Sequence, residues 1–110
     1  MSALENLIKL ERDARQYGFD WPKVDMVIDQ AVDECREVKE AIDQKEGQDR
    51  IQEEIGDVLH TAISLCLYQG FDVEETLTKA VEKFGGRMTT LKAIAKQKGF
   101  EHLRGQSMPF

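Results

Sequence analysis

Residues 34–57 read ECREVKEAIDQKEGQDRIQEEIGD, and this stretch decides the fold. On both sides of a short polar break at Lys45-Glu46-Gly47-Gln48, apolar residues recur at helical spacing. Upstream, Val24, Val27, Ile28, Ala31, Val32, Cys35, Val38 and Ile42 mark one face of a helix running to about Glu46. Downstream, Ile51, Ile55, Val58, Leu59, Ala62, Leu65 and Cys66 mark another, closing at Gly70. Gly47 suits the left-handed residue that ends the first helix. Asp49 with Gln52 resembles a capping box opening the second. The expectation is an antiparallel helical hairpin.

The carboxylates of this hairpin are mirrored. Glu34 and Glu37 stand i, i+3 on one arm, Glu54 and Asp57 i, i+3 on the other, so each pair shares a helix face. Facing residues of an antiparallel hairpin have a constant index sum, and 34 with 57 and 37 with 54 both give 91. If both pairs face inward, four carboxylates lie at one level. They would repel, and desolvation would raise their pKa values, unless a cation filled the gap. Hard oxygen donors suit Mg²⁺ or Mn²⁺, which retain waters and accept substrate phosphates. Such a site can clamp a polyphosphate and activate a water for attack on phosphorus. In a chain that is 33% charged, one i, i+3 acid pair is ordinarily a solvated face; the mirrored doubling is what points to a metal. Asp33, Glu40 and Glu53 are near neighbours, and Asp33, Glu37 and Glu40 share a stripe, so spacing identifies a cluster rather than a ligand set.

Outward from the hairpin the chain stays helical. Leu4, Leu7, Ile8 and Ala14 suggest a first helix ending near Gly18, and Gly18 to Pro22 a loop, with Pro22 in the first turn of the next helix. Asp72 with Glu75 repeats the capping signature before a last stripe, Val73, Leu77, Ala80, Val81, Phe84, Met88, Leu91, Ile94 and Ala95. Gly85-Gly86 interrupts that stripe at about 1 kcal/mol per glycine, which a kink or a close approach by backbone or ligand would justify. No strand-like alternation of useful length occurs, and residues 100–110 read as a tail. The fold expected is all-α: one domain over 1–110, a helical bundle built on the acidic hairpin and completed by self-association, since so short a chain buries little on its own.

The formal charge of −6 hides an asymmetry. Residues 1–78 hold 8 basic and 19 acidic side chains, and residues 79–104 hold 7 and 2. An acidic whole argues against nucleic acid or an anionic membrane as partner. Metal held by the acids would invert the local sign and admit a polyanion. Lys79, Lys83 and Arg87 follow i, i+4, i+8 on one face; alone they are a balancing solvated face, and beside a metal centre they become phosphate-ligand candidates. The start has no signal-peptide pattern and no apolar run approaches a membrane span. Cys35 and Cys66 form no CxxC and read as buried thiols in a reducing cytoplasm.

The runs Val32-Asp33-Glu34-Cys35-Arg36-Glu37-Val38 and Glu54-Ile55-Gly56-Asp57-Val58-Leu59 resemble the E-E-x-x-E and E-x-x-D motifs of the MazG-type all-α nucleoside triphosphate pyrophosphohydrolases. Ala80 to Arg87 is similar to that family's N-K-F-x-R-R segment, and Gly18 to Pro22 to its Trp-containing loop; the likeness covers about residues 18–90. The resemblance implies Mg²⁺ ligands at Glu34, Glu37, Glu54 and Asp57, phosphate contacts from Lys83 and Arg87, and assembly as a dimer or tetramer. It implies cleavage of a nucleoside triphosphate between the α and β phosphates by in-line attack of a water that Glu37 or Glu34 orients. The sequence departs from the pattern at Asp33, Glu82, Gly86 and His60. Trp21 and His60 are candidates for a base or sugar pocket, against the blander readings of a packing anchor and a satisfied core histidine.

Two other classes compete. Asp57-Val-Leu-His60 is a D-x-x-H, loosely like the E-x-x-H of carboxylate-bridged di-iron bundles, but a second such motif is wanting and His102 lies in the tail. A non-enzymatic helical interaction module is the other. No P-loop, HExxH, GxGxxG or nucleophile elbow supports a further enzyme class.

Overall fold

The computed structural model describes residues 1–102 and 104. Among them there is no strand; four helices follow in order, α1 (Ala3–Gln16), α2 (Val24–Asp43), α3 (Gln48–Tyr68) and α4 (Val73–Gln97). None is long and apolar enough to cross a membrane. Met1–Val73 forms one compact unit, and the residues from Glu74 onward form a second. The tail expected over 100–110 falls largely outside the described residues.

In the first unit, α2 and α3 pack as a hairpin and α1 packs on α3. The α2–α3 contact has the geometry of an antiparallel coiled coil. On α2 the shielded positions include 24, 27, 31, 34, 38 and 41, with Gln30 beside them; on α3 they include 51, 54, 58, 61, 65 and 68. Both series alternate steps of three and four, the heptad pattern that keeps one seam facing a partner helix. Most seam residues are aliphatic, and Val27 and Ala41 are fully enclosed. Glu34, Glu54 and Thr61, however, occupy the buried middle of the seam. Acids therefore sit where a coiled coil ordinarily places leucine.

This displaces the apolar stripe. Ile28, Val32, Ile55 and Leu59, expected in the core, flank the seam and are exposed. Cys35 shares that flank and is exposed, and Cys66 is half-buried, so neither is the buried thiol expected.

The turns correct several local expectations. α2 stops at Asp43, not near Glu46, and Lys45, at φ 53°, takes the left-handed position expected of Gly47. Glu46 N–H donates to Ala41 O and Lys45 N–H to Ile42 O, completing a Schellman closure. Gly47 instead caps the start of α3, and Asp49 lies in that helix's first turn rather than at a capping box. There its charge still complements the helix dipole. Pro22 precedes the cap residue Lys23 and so lies outside α2. α1 opens with a capping box the sequence reading missed, between Ser2 and Glu5.

In the second unit, α4 runs through Gly85-Gly86 without a break. A Cβ at either glycine meets no atom within 4 Å, so the close approach expected there is absent among the described residues. Leu77, Val81 and Phe84 are exposed along α4, whereas Ala95 is buried.

Candidate metal centre

The seam brings Glu34, Glu54 and Asp57 together, with one carboxylate oxygen of each within 4.8 Å of the others. Glu34 and Glu54 are buried and Asp57 is exposed. Each buried acid is split in the same way. Gln30 Nε2 donates to Glu34 Oε1 at 2.5 Å, and Arg50 Nη2 lies 2.6 Å from Glu54 Oε1. The second oxygen of each, Oε2, is enclosed and has no hydrogen-bond partner. Leaving a buried charged acceptor unsatisfied costs about 1–3 kcal/mol or more. Two orphaned carboxylate oxygens in one acid-rich cluster are the kind of donors a cation takes. The residues present therefore fit a hard divalent ion, with only oxygen ligands offered.

Glu37 is exposed and stands outside that triad. It is nonetheless electrostatically part of it. The negative charge of Glu34, followed by the nearby Glu54 carboxylate, raises the Glu37 carboxyl above its ordinary value. Lys83 and Arg87, both exposed, belong to α4 and the second unit.

Beside the acids opens a cavity of about 730 Å³, a size that suits a small ligand. Glu34, Asp57 and Gln30 line one side, and Trp21, Phe19, Met26 and Leu7 supply apolar surface. Trp21 and His60 both border it. His60 is not part of the acid cluster: its Nε2 lies 2.7 Å from Glu11 Oε1 on α1. Ser64 Oγ donates to the same Glu11 oxygen, and Arg15 Nη2 donates to Ser64 O at 2.9 Å. The arginine also faces Glu11, at 3.7 Å, and Asp20, at 3.6 Å. This second network is mixed in sign and knits α1 to α3.

Sequence reasoning missed Gln30, Arg50 and Glu11. The first two carried a readable signal, since each stands four residues before the buried acid it holds. Glu11 carried none, because it meets His60 across 49 residues of chain.

A helical hairpin with a buried carboxylate cluster beside a ligand-sized cavity defines an all-α unit with a candidate cation site. Comparison with known proteins narrows this. Residues 23–91 match the MazG nucleotide pyrophosphohydrolase domain, and the chain belongs to that family. It is 32% identical over 97 residues to the Nucleoside triphosphate pyrophosphohydrolase/pyrophosphatase MazG of Thermotoga maritima, covering 88% of this chain and 36% of the relative. It is also 32% identical over 102 residues to the Nucleoside triphosphate pyrophosphohydrolase of Escherichia coli K12, covering 92% of this chain and 39% of the relative. The chain thus spans well under half the length of these relatives.

Proposed function

We propose that the chain is a metal-dependent nucleotide pyrophosphohydrolase that cleaves (deoxy)nucleoside triphosphates between the α and β phosphates, yielding a monophosphate and pyrophosphate. The observation that carries this reading is the pair of buried, partnerless oxygens on Glu34 and Glu54, set with Asp57 beside the cavity. Family membership supplies the substrate class. Mg²⁺ is the expected ion, with Mn²⁺ a substitute, held by Glu34, Glu54 and Asp57 with Glu37 at the rim. A bound divalent ion supplies charge neutralisation at the phosphates and acidifies water. Of the two carboxylates considered for orienting the attacking water, Glu37 is the exposed one beside the acid triad and Glu34 is buried within it, so the role is assigned to Glu37.

The apolar wall of the cavity suits a base or sugar, with Trp21 offering a stacking face and His60 a hydrogen-bonding edge held in place by Glu11. Lys83 and Arg87 are assigned to phosphate contact on their charge and motif alone. The exposed flank of Ile28, Val32, Ile55 and Leu59 supports self-association as a dimer or tetramer, which light scattering on the purified chain decides. The di-iron reading loses support because His60 lies outside the acid cluster, which offers oxygen ligands only.

A nucleotide panel with Mg²⁺, resolving pyrophosphate from orthophosphate, tests the reading. Monophosphate plus pyrophosphate is expected, and EDTA abolishes both. Release of orthophosphate, or turnover that survives EDTA, overturns it.

A further inference from the structure

The acid cluster contains one cation of its own. Arg50 reaches three carboxylates: Glu54 at 2.6 Å, Glu53 at 3.2 Å and Glu46 at 3.8 Å. These acids differ sharply in environment. The side chain of Glu54 is 3% exposed, against 36% for Glu46 and 65% for Glu53. Water already stabilises an exposed carboxylate, so a positive partner adds little there. A buried one depends on its partner, and removing that partner leaves an uncompensated charge. Arg50 therefore does its stabilising at Glu54, and its contacts with Glu46 and Glu53 are alternatives of low energy. All three contacts belong to one side chain that is itself half exposed and free to redistribute.

A divalent ion at Glu34, Glu54 and Asp57 changes the sign of the environment Arg50 faces. Before binding, the guanidinium neutralises a like-charged acid cluster. Afterwards it is a positive neighbour of a positive ion. Gln30, which holds Glu34 in the corresponding way, is neutral and faces no such reversal.

We propose that Arg50 is the resident counter-cation of the acid cluster, pairing with Glu54 until a divalent ion takes over that charge, with Glu46 and Glu53 as the exposed acids that receive it. This rests on the metal reading above. The pairing and the ion compete, so each weakens the other by the same factor. Arg50 makes the metal-free hairpin stable and makes metal binding weaker than the bare acids would allow.

The test is Mn²⁺ titration of the full chain by calorimetry, with melting temperatures in EDTA and in saturating Mn²⁺. Arg50→Gln keeps a hydrogen-bond donor and removes the charge. Its Mn²⁺ affinity is expected to rise about tenfold, while its melting temperature falls in EDTA and recovers in Mn²⁺. Arg50→Lys, which retains the charge, keeps an affinity near that of the wild type. Glu46→Gln with Glu53→Gln lowers Mn²⁺ affinity in the wild-type background and not in the Arg50→Gln background, because those acids act through Arg50. Unchanged or weaker Mn²⁺ binding by Arg50→Gln overturns the proposal. If that variant fails to fold, a double glutamate variant that binds Mn²⁺ as the wild type does overturns it instead. A wild-type chain that takes up no Mn²⁺ overturns the metal reading itself, a failure distinct from that of Arg50.

Discussion

Two polar clusters lie along the same hairpin, and they are built on opposite principles. Around Glu11, the charges alternate: His60, Ser64 and Arg15 surround one carboxylate, and Asp20 faces the arginine. Around Glu34 and Glu54 acids predominate, with Arg50 the one cation set against Glu54, and one oxygen of each buried acid is left without a partner. The first cluster holds α1 against α3 and meets its charges with opposite ones, although Arg15 Nε itself makes no hydrogen bond. The second is incomplete within the chain, so its stability depends on what enters it.

The comparison breaks most visibly if the acids are neutralised. Asp57→Asn or Glu54→Gln is expected to lower turnover by a hundredfold or more, about 3 kcal/mol of transition-state stabilisation. Mn²⁺ calorimetry on the same variants should show the matching loss of binding, and full activity in either variant would remove that residue from the site.

Filling the seam with what a coiled coil prefers tests the other half of the contrast. Glu34→Leu combined with Glu54→Leu is expected to raise metal-free stability by about 1–4 kcal/mol, the gain seen when buried charges give way to packed apolar side chains. Denaturant unfolding in EDTA measures it, and a less stable double variant would show that the acids are already satisfied.

In the mixed-sign cluster the expected result is reversed. Glu11→Ala strands His60 and Ser64 and is expected to cost about 1–3 kcal/mol of stability, with Mn²⁺ binding unmoved. A drop in Mn²⁺ affinity instead would merge the two clusters into one.

The smallest effect is in pH. The Glu37 carboxyl lies above its usual 4.5 in the folded chain, so the fold binds that proton more tightly than the unfolded chain does. Its ionisation therefore destabilises the metal-free protein. Stability in EDTA should increase as pH falls through the raised value towards 4.5, and no further below it. Melting temperatures taken across that window with and without Mn²⁺ check the sign, since a bound ion replaces the repulsion with attraction.

Much of this was legible in the chain itself. Helical periodicity located all four helices, and the mirrored acids pointed to the level of the hairpin where the structure brings Glu34, Glu54 and Asp57 together. The errors share a physical cause. Apolar periodicity marks both the seam and its flank: Val24, Val27, Ala31, Val38, Ile51, Val58 and Leu65 line the seam, whereas Ile28, Val32, Ile55 and Leu59 are exposed beside it and acids occupy its middle. Likewise glycine's tolerance of positive φ points to Gly47 as the end of α2, whereas Lys45 takes that conformation at the cost of local strain. The Glu11 network was beyond local reading altogether, because α1 meets α3 only in the folded unit.

The heptad seam also makes the hairpin a measuring device for insertions. A residue added in the turn between Asp43 and Gln48 can be looped out at small entropic expense. One added within 38–43 or 48–53 turns its acid pair about 100° around the helix, out of the seam. The arms can lengthen between the acids and the turn only in steps that restore both registers, seven residues in each. Chains of this kind are therefore expected to differ freely in the length of the turn and in whole heptads along the arms.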